Sequence, residues 1–152
     1  MSIMWKYLDK QAAVIQVLKD FDNMQFIIDN TDDDIRMEES RLVGIGSPNM
    51  DGMPHAHNPQ AGEERIINSL EKIDTLKERY RQAVEYMNWF LPAWEKLSED
   101  EQFVLDVFYR QNEYGAEAAK AVCEYFSVER NTAYKKKSRA LDRLVLLLYG
   151  KE

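Results

Sequence analysis

Apolar residues return every seven positions through two long stretches, and this period decides what the chain can fold into. In the first stretch Tyr7, Val14, Phe21, Ile28, Ile35 and Leu42 form a stripe, with Val17 and Met24 between them. In the second, Ile66, Ile73, Tyr80, Met87 and Trp94 do the same, widened by Leu70, Leu76, Val84, Phe90 and Leu91. A seven-residue spacing keeps side chains on one side of a helix, whereas a strand sends them alternately to two faces. The expected fold class is all-α. The first helix is expected from about Ser2 to about Leu42, with a kink near Asn30, where "DNTDDDIR" gathers residues that compete for the backbone. Pro92 is expected to interrupt the second helix, because it lacks an N–H and disfavours helix in the residue before it.

Between the stripes, "GIGSPNMDGMPHAHNPQAG" (Gly44 to Gly62) holds four of the six glycines and three of the four prolines. Such a stretch reads as a long loop, spanning about residues 43–62. Two amphipathic helices joined by it form a long antiparallel hairpin, each burying its stripe on the other. The second stripe is too wide for one partner, so it is expected to pack on the C-terminal unit or on a second copy of the chain.

The C-terminal third carries three shorter helices. In "LSEDEQFVLDVFYRQ", Ser98 and Glu101 stand three apart and make a capping box, with Phe103, Val104, Val107 and Phe108 on the buried face. "AEAAKAVCEYF" follows as a short helix in which Cys123 is core filler. Ser127 is then expected to cap a longer helix from Val128 to Tyr149, ended by Gly150. Its apolar positions are Val128, Ala133, Ala140, Leu141, Leu144, Leu147 and Leu148. Helix, short helix, tight turn and longer basic helix is the order of a helix-turn-helix. The expected division is residues 1–96 for the hairpin and 97–152 for this second unit.

Charge separates the two parts. The chain carries a formal charge of −7, yet from Ser127 onward seven Lys or Arg stand against three Asp or Glu. An acidic body with one basic end suits a protein that offers a single face to a polyanion. Away from its apolar positions, the last helix presents Glu129, Arg130, Asn131, Thr132, Tyr134, Lys135 and Lys137, with Lys136, Ser138 and Arg139 beside them. Arg donates to guanine and Asn pairs bidentately with adenine, and residues early in a recognition helix reach base edges. Lysines a turn later, and a tyrosine hydroxyl, suit phosphates. Double-stranded DNA is the expected partner.

Residues 97–150 resemble region 4 of bacterial sigma factors. More closely they resemble the RinA/ArpU-type late-transcription regulators of phages of Gram-positive bacteria. "LSEDEQFVLDVFY" and "FSVERNTAYKKKSRALDRL", ending in "LYG", carry the likeness, with Ser127, Val128, Thr132, Ala133, Tyr134, Lys135, Ala140 and Leu141 on the family's places. The hairpin and "SPNMDGMPH" extend it to most of the chain. Two features depart from the pattern. Lys136 takes a usually apolar place, so either it snorkels along the core edge or the register shifts there. "RQNEYGAEAAK" is longer than the compact sigma version. The resemblance implies a sigma-region-4-like helix-turn-helix, regulation of packaging and lysis genes, and action beside host RNA polymerase in the bacterial cytoplasm.

Other chemistry is poorly represented. No phosphate-binding glycine loop, HExxH helix or nucleophile elbow occurs, so neither catalysis nor a cofactor is expected. His55 and His57, with Asp51 nearby, are too few ligands for a closed metal site. The single cysteine allows no internal disulfide, which fits a reducing compartment, and no run of apolar residues is long enough to span a bilayer. The hairpin is expected to self-associate, as a dimer. The competing reading makes the hairpin the working part of an oligomeric adaptor or phage DNA-packaging component.

Overall fold

The structure, a computed structural model, describes residues 3–45, 59–112 and 114–150. Its regular elements are all helical. A 3₁₀ turn, Ile3–Tyr7, precedes α1 (Lys10–Ile45) and α2 (Pro59–Glu95). Then come α3 (Glu99–Asp106), a π turn (Val107–Gln111), α4 (Gly115–Phe126) and α5 (Arg130–Tyr149). His55 and His57 lie outside the described residues, as do residues 46–58 of the predicted loop; its two ends, 43–45 and 59–62, are helical and belong to α1 and α2.

The first helix starts later than expected. Asp9 accepts from the N–H of Ala12 at 3.0 Å, capping α1, and Tyr7 stands before it, 79% exposed rather than in the stripe. No break occurs where the kink is expected: α1 runs on through Asn30. Asn30 and Thr31 spend their side chains on the carbonyls of Phe26 and Ile27, four residues back, so neither pulls the backbone out of the helix. Pro92 does not end α2 either. It is exposed one turn from the helix end, beside exposed Asn88, whose carbonyl it leaves without a helical N–H. At the end of α2 the Trp94 carbonyl accepts from Gln102 Nε2 at 2.8 Å, and just past it the Lys96 carbonyl accepts from Arg143 at 3.2 Å.

α1 and α2 run antiparallel, Tyr86 Oη donating to the Val17 carbonyl while Glu38 faces Ser69 and Lys72. Packing divides the chain into two compact units, residues 1–23 with 86–152, and residues 24–85. The sequence-derived boundary at 96/97 therefore falls inside the first unit. In its main core, Val14 and Leu18 of α1 meet Phe90, Ala93, Leu97, Leu105, Ala140, Leu141 and Leu144. Phe90 is the centre, with the rings of Phe21, Tyr86 and Trp94 each 5.5–5.6 Å away. A second cluster, built on Val104, Val107, Phe108, Ala118, Ala119, Val122 and Ala133, joins α3, α4 and α5. Cys123 packs against it, half-buried.

The unit of residues 24–85 is thinner. Ile73 and Ala83 are its buried apolar side chains, and they share the interior with Thr31, Glu38 and Ser69. Glu38 accepts from Ser69 at 3.3 Å and pairs with Arg41. Ile66 and Leu70, expected within the stripe, remain 40% and 49% exposed.

Candidate nucleic-acid interface

Ser98 behaves as expected: its hydroxyl accepts from the Glu101 N–H at 3.2 Å, and the Glu101 carboxylate accepts from the Ser98 N–H at 3.1 Å. The helix that this box opens does not stay regular. It widens into the π turn, where Asn112 Nδ2 donates to the Val107 carbonyl at 2.8 Å. Arg110 sits in that turn and bonds Asp106 and Asp22, both at 2.8 Å, with its guanidinium 4.4 Å from the Phe21 ring centre. Burial works against the charge of Arg110, but the two carboxylates outweigh it and hold its pKa above the ordinary value.

The entry to α5 differs from the sequence expectation. Ser127 does not cap α5; it ends α4, in the left-handed region at φ 54°, ψ 48°. The N–H of Val128 closes a six-residue loop onto the Cys123 carbonyl at 3.2 Å, a Schellman-type bond. The connection is then Ser127, Val128 and Glu129. Glu129 is the extended N-cap, without a side-chain cap bond, and the helix begins at Arg130 rather than Val128. Val128 is half-buried in the turn rather than at a core position of the helix.

Along α5, Ala133, Ala140, Leu141 and Leu144 are buried, as expected, and they orient the rest. The nine candidate residues separate by position. Asn131, Lys135 and Ser138 stand opposite the buried row and are exposed. Arg130, Tyr134 and Lys137 lie along one flank. Tyr134 is half-buried, its ring 5.8 Å from that of Phe108, and Arg130 lies 5.8 Å from the Tyr134 ring centre. Lys137 Nζ is 5.5 Å from the Phe108 ring and 5.3 Å from that of Tyr134. Thr132 and Arg139 lie on the other flank, exposed, and Glu129 precedes the helix. Lys136 shares that flank with its ammonium 4.6 Å over Phe126, so it snorkels along the core edge and the register holds.

Arg130, Lys135, Lys136, Lys137 and Arg139 make no ion pair among the described residues, in a chain where Arg81, Arg110 and Arg143 all do. These five cations, within ten residues, form a positively charged surface on an acidic protein. The sequence alone does not point to Lys19, which comes beside Tyr134 and Lys137 from α1. No local pattern joins residues so far apart in the chain.

No protein-family model, curated protein or solved structure matches the chain. No helix among the described residues is long and apolar enough to cross a membrane.

Proposed function

We propose that the chain is a sequence-specific transcription regulator that reads double-stranded DNA with α5, the second helix of an α4–α5 helix-turn-helix. The unpaired cation cluster on the first turns of α5 carries this reading. The sharp three-residue turn before it supports the same conclusion, since it sets a short helix against a longer exposed one. Asn131 and Arg130 are the base-reading side chains, Lys135 and Arg139 the phosphate contacts, with Ser138 and Thr132 assisting. The sequence resemblance points to phage late genes as the target and to host RNA polymerase as a neighbour on the promoter.

Selection of bound fragments from a random DNA pool at physiological salt tests this directly. A sharp motif is expected. Arg130→Ala should then relax one position of it and cost about 1–3 kcal/mol in binding. Weak, salt-dependent binding without a motif sinks the reading and leaves the adaptor.

A specific observation keeps that second reading in view. In the unit of residues 24–85, Phe26, Met37, Val43, Ile67 and Leu70 are all about half exposed or more. Apolar side chains in this number suit a contact with another chain. We assign them to self-association, and expect a dimer mass by light scattering at micromolar concentration. A monomer with its helices formed removes the assignment.

A further inference from the structure

On the flank of α5 that carries Tyr134 and Lys137 there is an open cleft of about 520 Å³. Its wall includes Lys19 from α1, Asp22 and Arg110, and Gly115 at the start of α4. Asp22 is engaged by Arg110, which also holds Asp106, so this acid is matched. Lys19 and Lys137 make no ion pair among the described residues, which leaves the cleft with an excess of positive charge. Tyr134 brings a hydroxyl to the same place: a Cβ built on Gly115 would lie 3.9 Å from its oxygen.

Cations from two separate helices and a phenol thus converge on one concavity. A helix about 10–12 Å across fills a major groove about 12 Å wide, so its flanks meet the sugar–phosphate strands. We propose that this cleft is a phosphate site, that its occupant is a backbone phosphate of the duplex read by α5, and that Lys19 is its anchoring cation. The inference rests on the DNA-reading assignment and deepens it. The DNA-binding face then includes part of the hairpin, and Tyr134 and Lys137 position the backbone instead of reading bases. A free phosphate or phosphate ester offers the same chemistry and is the other source to be distinguished.

The test measures binding of the full chain to its selected fragment as a function of salt. Lys19→Ala should weaken binding several-fold to every sequence alike, and should flatten the slope of log K against log salt by about 1. Lys77→Ala, on α2, should leave both unchanged. Lys19 is exposed, so the variant should fold, which circular dichroism checks. An unchanged slope in Lys19→Ala overturns the proposal, while the DNA-reading assignment survives if Arg130→Ala still relaxes the motif. Wild-type chain that selects no motif overturns both. In a parallel titration with inorganic pyrophosphate, amide shifts at Gly115 that vanish in Lys19→Ala, together with an unchanged DNA slope, assign the cleft to a free phosphate compound and overturn the duplex as occupant.

Discussion

The two compact units are made from the same two long helices yet are stabilised differently. Where α1 and α2 meet α3 and α5, the core is continuous and aromatic, with Phe90 only 2% exposed among three other rings. Where they have only each other, burial reaches Ile73 and Ala83, and the interior also admits a carboxylate and two hydroxyls. A pair of helices has one contact seam and therefore one buried row; additional helices enclose the neighbouring rows as well. Breadth of the apolar stripe is thus not a measure of burial. It shows how much partner surface a helix can accept.

The contrast predicts unequal costs. Phe90→Ala should lose about 3–5 kcal/mol and Ile73→Ala about 2 kcal/mol, read from urea unfolding of each variant. Equal losses, or the reverse order, would break the comparison. Tyr86 probes the denser unit more finely. Removing its hydroxyl in Tyr86→Phe leaves the Val17 carbonyl without that donor and should cost about 1 kcal/mol. Burial, reinforced by Asp20, raises the pKa of Tyr86, and burial raises those of Tyr109 and Tyr149. A raised folded-state value keeps its full stabilising contribution below the unfolded tyrosine pKa of about 10, and loses it as pH climbs through the folded value. Melting temperature should therefore fall above about pH 10, more gently in Tyr86→Phe than in the parent. An identical slope in the two would remove Tyr86 from the account. Ser127 gives an effect of similar size and opposite sign. A side chain in the left-handed region costs about 1–2 kcal/mol, which glycine does not pay, so Ser127→Gly should stabilise by about 1 kcal/mol. A loss on thermal unfolding would show that the serine hydroxyl contributes more than its backbone costs.

Local signals were legible in the sequence and long-range ones were not. The capping box at Ser98 needs four consecutive residues and was readable, as was the buried row of Ala133, Ala140, Leu141 and Leu144, which lies on one helix. Pro92 misled because its cost depends on exposure: it stands one turn from the end of α2, beside exposed Asn88. Ser127 misled for a different reason. Serine suits a helix start, but here the chain must first leave α4, and the residue that closes one helix cannot also open the next three residues early. The candidate surface was readable as a set of residue types; its sorting into an outward row and two flanks required the buried row to be fixed in space. Lys19 joins that surface only through tertiary packing.

The π turn at Val107–Gln111 has a consequence for how the fold can vary. Each residue in a regular helix turns the chain by about 100°, so one added residue, absorbed as a widened turn, resets the phase of everything after it. Arg110 is where that reset is secured, tied to Asp106 on its own helix and to Asp22 on another. The widened turn works like a vernier: it lets α3 keep its buried row in the core while aiming the last residues before α4 along a separate line. A deletion of one residue here would repair the helix geometry and misdirect Arg110 by about 100°. The irregular turn is thus the part of residues 99–111 least free to become regular.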